Sequence, residues 1–278
     1  MILFYIILSC GFAMRLEVTV PVCLRDELKG VGLMNVQSVS VGGLDCCVVD
    51  ALPIGASPQM IVVLCHGFGA SGTDLVPFGP ELLEHSPALA ERVQFLFPAA
   101  PLDLSEAGMP GGRAWWHLDM AKLQRAMTTG EFRDLRTEHP EGLDFARERL
   151  LALIAEWSER SGIPLSRFVL GGFSQGAMLA TEVTLHLSEN PAGLIVLSGT
   201  LLNEAVWREQ VSRRAGLSVL QSHGTSDPIL PFPVAEWLRD MLTEAGARVE
   251  FIPFRGGHAI PMPVFERVAA MLESLVKT

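Results

Sequence analysis

Apolar residues in this chain follow two rhythms. Short continuous runs of Val, Ile and Leu, bounded by Gly, Pro and polar residues, alternate with longer segments in which apolar residues recur every three or four positions. A run apolar on both faces suits a strand covered on both sides, and the longer period suits a helix with one face on a core. The runs predict strands at Leu16–Val22, Asn35–Val41, Asp45–Ala51, Met60–Cys65, Val93–Phe97, Phe168–Gly172, Leu194–Ser198, Ser218–Ser222 and Val249–Phe254. Leu143, Ala146, Leu150, Leu153, Ile154 and Trp157 form one helical stripe, stopped by Gly162 and Pro164. Val264, Val268, Met271, Leu272 and Leu275 form a second, and Gln175–Leu187 and Val234–Ala245 also read as helices. Strands alternating with helices predict an α/β fold whose mostly parallel central sheet is flanked by helices.

Two stretches break the alternation. Pro98–Arg113 is rich in Pro and Gly and reads as a long loop. It runs through Trp115-Trp116-His117 into a polar, helix-prone piece, Leu118–Glu138. This inserted loop-helix segment leaves the C-terminal end of the strand Val93–Phe97. Together with Trp115, Trp116, Met120, Leu123, Met127, Phe132 and Leu135 it is expected to wall the site. No repeat or linker divides the chain, so residues 16–278 read as a single domain. Residues 1–15 read as a short apolar extension, with Met14 an alternative start. A second reading takes Ile2–Leu8 and Ser9-Cys10 as an export or lipid-anchoring signal, although no Lys or Arg precedes the apolar run.

Charge and composition narrow the possibilities. The 278 residues carry 21 Lys+Arg against 31 Asp+Glu, a net charge of −10, and 49% are hydrophobic. An acidic chain repels phosphate backbones, which argues against nucleic acid as partner. No apolar run reaches the roughly 20 residues that span a bilayer, so no integral membrane span is expected. Cys10, Cys23, Cys46, Cys47 and Cys65 are odd in number and lack a C-x-x-C pair. They suit neither a disulfide framework nor a zinc site, and read as thiols of a reducing compartment, the cytoplasm.

The sharpest chemical signal is Gly172-Phe173-Ser174-Gln175-Gly176, set between a predicted strand and a predicted helix. A Ser in such a turn is held in a strained backbone conformation and lifted above the sheet. The glycines two residues on either side are needed because a Cβ there would strike the neighbouring strand and helix. Serine needs a base to attack a carbonyl. In this architecture the order is Ser, acid, His, and each should sit in a loop at the C-terminal edge of the sheet. His258, after the strand Val249–Phe254, fits the base. Asp227, in His223-Gly-Thr-Ser-Asp-Pro after the strand Ser218–Ser222, fits the acid that orients it. His223 precedes the acid and reads as a structural hydrogen-bonder. The oxyanion that develops needs donors, expected from the N–H of Gln175 and of Phe68 in His66-Gly67-Phe68-Gly69. His66 reads as support for that turn. No metal or cofactor is required.

His66-Gly-Phe-Gly, Gly171-Gly-Phe-Ser-Gln-Gly, His223-Gly-x-x-Asp-Pro and Gly257-His258 together resemble the phospholipase/carboxylesterase family, which includes acyl-protein thioesterases. The match runs from about Met60 to the C-terminus. The resemblance implies an α/β-hydrolase fold and a triad of Ser174, Asp227 and His258. It implies an oxyanion hole at Phe68 and Gln175, and a Trp115-Trp116 segment lining the acyl site. The substrate would be a small-molecule ester or thioester. His117 and Ala70 stand where many members have Asp, and Leu118–Glu138 is longer than in the short esterases. These departures touch substrate identity and not reaction type. The competing expectation is a non-catalytic ligand-binding protein that keeps the fold.

Overall fold

The structure, a computed structural model, describes residues 34–277 except 130, 131 and 133, and leaves the side chains of Ala126 and Met127 undescribed. The predicted strand Leu16–Val22, the N-terminal extension and the side chain of Met127 therefore lie outside the described residues.

The elements run β1 (Asn35–Val41), β2 (Leu44–Asp50), β3 (Met60–Cys65), α1 (Phe78–His85), α2 (Pro87–Ala90) and β4 (Val93–Pro98). A small hairpin of β5 (Leu102–Asp103) and β6 (Arg113–Ala114) follows, then α3 (Met120–Thr129), α4 (Leu143–Ser161), β7 (Phe168–Phe173) and α5 (Gln175–His186). The chain ends with β8 (Gly193–Leu197), α6 (Glu204–Val211), β9 (Ser218–Gly224), α7 (Phe232–Glu244), β10 (Arg248–Phe254) and α8 (Met262–Val276). The strand order β1-β2-β4-β3-β7-β8-β9-β10 makes an 8-stranded sheet. β1 and β2 pair antiparallel and join β4 antiparallel, and every other neighbour is parallel.

β3, β4, β7 and β8 are buried along their whole length. That explains their unbroken Val, Ile and Leu, because helices cover both faces. One core layer packs α4 and α5 on the sheet through Leu150, Leu153, Leu179 and Val183. The other packs α1 and α8 on the opposite face through Leu82, Val264, Val268 and Leu272. The parallel strands all end at one edge, and the βα turns there carry the candidate site.

The Pro98–Arg113 stretch differs from expectation. It folds as the β5–β6 hairpin with a 3-10 turn at Ser105–Ala107, not as an open loop. Arg113 pins it with guanidinium bonds to the carbonyls of Ala100 and Pro101.

Candidate active site

Ser174 follows β7 and precedes α5 with φ 54 and ψ −118. This is left-handed backbone that a non-glycine residue rarely adopts, and it is held here by its surroundings. The Ser174 N–H donates to the Leu197 carbonyl at 2.8 Å, and its own carbonyl accepts from Ala177 and Met178. The two flanking glycines have no room to spare. A Cβ on Gly172 would lie 2.4 Å from the Cys65 carbonyl oxygen, and one on Gly176 would lie 2.0 Å from it. The end of β3 thus passes directly behind the turn.

Asp227 and His258 come from the loops after β9 and β10, and those loops are bonded together. Thr225 N–H donates to Phe254 O at 2.8 Å and Ser226 N–H to Gly256 O at 2.9 Å. A Cβ on Gly224 would lie 2.1 Å from the Gly257 oxygen, so only glycine allows this approach. His258 Nδ1–H donates to Asp227 Oδ2 at 2.6 Å. Its Nε2 is buried and has no partner among the described residues. The other Asp227 oxygen accepts from the N–H groups of Ile229 and Leu230 at 2.8 and 3.0 Å. Burial alone would raise the Asp227 carboxyl. Hydrogen bonds from His223 and His258, the His258 charge and the Leu230 N–H more than reverse this and hold it well below the usual carboxylate range. His223 Nε2 serves Leu230 O at 2.8 Å and stands 3.3 Å from Asp227 Oδ2, the structural part expected of it. The Phe173 ring packs on the His258 ring at 4.7 Å, which links the residue before Ser174 to the histidine.

Phe68 and Gln175 line one cleft with Ser174, together with Trp116, Leu118, Leu135, Met178, Leu202 and others. Neither the Phe68 nor the Gln175 backbone N–H donates to an acceptor among the described residues. Both therefore remain available for an oxyanion. Behind Phe68, His66 is buried. Its Nε2 accepts from the Ala100 N–H at 3.0 Å, so its proton sits on Nδ1 and points at the Gly67 carbonyl at 2.8 Å. Burial pushes this imidazole down to about 4, opposed by the Gly67 bond and assisted by the Arg113 charge.

The two tryptophans part company. Trp116 lines the cleft. Trp115, as fully buried as Trp116, donates its indole N–H to the His66 carbonyl at 2.9 Å, so it braces the turn that carries Phe68 and does not line the cleft. Of the other wall residues, Leu135 reaches the cleft. Leu123 is buried, and the exposed Phe132 meets Trp237 edge-on.

One contribution went unread in the sequence. The Gln175 side chain accepts from Trp115 N–H at 3.0 Å and donates to the Trp116 carbonyl at 2.9 Å. The residue whose backbone N–H beside Ser174 is unpartnered among the described residues also clamps the wall of the cleft. No sequence periodicity signals a bond across 60 residues.

Among the described residues no group of three or more His, Cys, Asp and Glu side chains is arranged to hold a metal ion. No helix among them is long and apolar enough to cross a membrane.

Residues 53–276 match the sequence profile of the phospholipase/carboxylesterase family. The chain is 33% identical over 175 residues to an acyl-protein thioesterase 1 of Eremothecium gossypii, covering 63% of this chain and 68% of that one. It is 28% identical over 206 residues to its counterpart in Debaryomyces hansenii, covering 70% and 82%. The crystal structure of esterase PE8 matches with a TM-score of 0.67 at 25% identity, over 88% of this chain and 100% of that one. A carboxylesterase from Mesorhizobium loti, at 19% identity, shares the fold with a TM-score of 0.64 over 86% of this chain and 98% of that one. The chain belongs to the phospholipase/carboxylesterase family, has the α/β-hydrolase fold, and is a hydrolase.

Proposed function

We propose that this protein is a serine hydrolase of carboxylic esters, of carboxylesterase or lysophospholipase type, working through Ser174, His258 and Asp227. The observation that carries the reading is the His258–Asp227 hydrogen bond of 2.6 Å, which leaves Nε2 as the unpartnered, proton-accepting nitrogen. Ser174 Oγ attacks the ester carbonyl while His258 Nε2 takes its proton. The carbonyl oxygen becomes an oxyanion and accepts from the N–H groups of Phe68 and Gln175. Collapse breaks the bond to the leaving alcohol, which takes the proton from His258. Water, deprotonated by the same nitrogen, then releases the acid from Ser174. Asp227 remains ionised throughout and stabilises the imidazolium that forms at each step. The acyl chain lies along Trp116, Leu118, Leu135 and Leu202.

A thioester is the second reading, and the identity to acyl-protein thioesterases favours it. The same groups serve it, with a thiolate leaving. The compartment is proposed to be the cytoplasm, in keeping with the free thiols of Cys46, Cys47 and Cys65. The test is a panel of p-nitrophenyl esters and matched thioesters of increasing acyl length, alongside a fluorophosphonate probe. Turnover with labelling at Ser174 alone supports the reading. Labelling elsewhere, or no turnover of either class, overturns it.

A further inference from the structure

Glu138 is out of place among its neighbours. It lines the cleft beside Ser174 next to Leu118, Leu135 and Pro140, and among the described residues no other acidic or basic side chain lines that cleft. Its Oε1 meets Lys122 Nζ of α3 at 2.5 Å, with the lysine the more exposed of the two. Two described cations near this pair are already engaged. Arg136 pairs with Asp134 at 2.7 Å, lies 3.8 Å from Glu204 and stacks on the Trp237 ring. Arg147 holds both Asp144 and Glu182 at 2.7 Å. His139 Nε2 faces Asp144 at 3.1 Å, and its Nδ1 accepts from the Asn203 amide. Within these ion pairs of the described residues, three basic side chains (Lys122, Arg136, Arg147) face five acidic ones: Asp134, Glu138, Asp144, Glu182 and Glu204.

We infer that Glu138 is a charge filter on the acyl side of the cleft, admitting chains that end in a neutral or cationic group and turning away those that end in an anion. The inference rests on the reading of this cleft as the acyl site of an ester or thioester hydrolase. A chain ending in a carboxylate would bring like charge to Glu138 inside an apolar groove. Lys122, Arg136 and Arg147, described cations nearby, already have acidic partners. A chain ending in an ammonium group would find an acceptor there and could displace the exposed Lys122. Because Glu138 and Lys122 both reach solvent, the discrimination is several-fold and salt-sensitive.

The test uses three isosteric p-nitrophenyl esters of one medium chain length, ending in methyl, trimethylammonium or carboxylate. The readout is kcat/KM of each charged ester relative to the methyl-ended one. Glu138→Gln should raise the carboxylate ratio roughly fivefold and lower the ammonium ratio by a similar factor. Lys122→Gln, which exposes the Glu138 charge, should move both ratios the opposite way. Both effects should shrink toward 1 M salt, where screening acts over about 3 Å. A packing role would instead move the ratios in the same direction in both variants, or leave them insensitive to salt, and either result overturns the filter. If the methyl-ended ester is turned over while Glu138→Gln leaves the ratios unchanged, this inference alone fails. If wild type turns over none of the three esters, nor a matched thioester, the proposed function falls with it.

Discussion

His66 makes the turn at Gly67 and Phe68 a source of acid sensitivity that can be worked out in advance. Its imidazole is neutral in the fold because Nε2 is occupied by the Ala100 N–H and the ring is buried, which brings it from 6.5 down to about 4. In the unfolded chain it titrates near its ordinary value. Between those two pH values the unfolded state holds a proton that the folded state does not, so stability falls as pH falls. The contribution is complete above the unfolded value and fully lost once pH reaches the folded one. A gap of about 2.5 pH units corresponds to about 3 kcal/mol. The measurement is denaturant unfolding of wild type and His66→Gln at pH 7 and pH 4.5. Carboxylates that titrate in both proteins cancel in the comparison. Wild type should lose about 2 kcal/mol more than the variant over that interval. An NMR titration of the His66 ring gives the same information without the variant. Equal losses in the two proteins, or a ring that titrates near 6.5 in the folded protein, would refute the reasoning.

Other outcomes follow from the same geometry. Ser174→Ala should reduce ester turnover by up to about a million-fold while leaving the thermal transition in place, read by kinetics and calorimetry side by side. Asp227→Asn should lower kcat/KM by roughly ten-thousand-fold. Asp227 is held below the usual carboxylate range and so is still ionised near pH 4 to 5. Chemical-shift titration of its carboxyl should therefore show no protonation across the acid limb of activity. Trp116→Ala should flatten the rise of kcat/KM with acyl length, where each buried CH₂ contributes about 0.8 kcal/mol. Trp115→Ala should instead lower stability by about 3–5 kcal/mol and depress all chain lengths alike. A chain-length effect confined to Trp115→Ala would reverse these two roles. Gly176→Ala, whose Cβ meets a backbone oxygen at 2.0 Å, should fail to give soluble folded protein.

Much of this architecture was legible because the strands of a doubly covered sheet must be apolar without interruption. β3 matches its predicted limits, and β4, β7, β8, β9 and β10 match to within one or two residues. Short or punctuated elements were not legible. α1 opens Phe78-Gly79-Pro80, which reads as a break, yet the glycine is there because a Cβ would sit 3.2 Å from the Phe97 ring. α6 has eight residues and buries only Trp207 and Val211, too few to show a period. Each strand of the β5–β6 hairpin has two residues, shorter than any alternation. At the site, the loop positions of Ser174 and Asp227 were readable because they follow buried strands, and that of His258 because it follows the β-rich run Val249–Phe254. Which tryptophan faces the cleft was not, since adjacent residues differ by orientation alone. The Gln175 clamp and the Phe173–His258 contact depend on long-range packing that no local pattern records.

The bonds that tie the Gly67–Phe68 turn to the tryptophan segment constrain how this enzyme can change its diet. Trp115 is fixed to His66 and to Gln175, Trp116 to Gln175, and Arg113 to Gly69 and Ala70. A substitution that shifts Trp116 to admit a bulkier chain also disturbs the amides of Phe68 and Gln175, and so trades breadth of substrate for rate. Met178, Leu202, Ile229 and Leu230 line the same cleft without belonging to that bonded unit. Variation that preserves catalysis is channelled to positions such as those four. A library built there should yield altered chain-length preference in active proteins, while one built on 113–116 should yield mostly inactive ones.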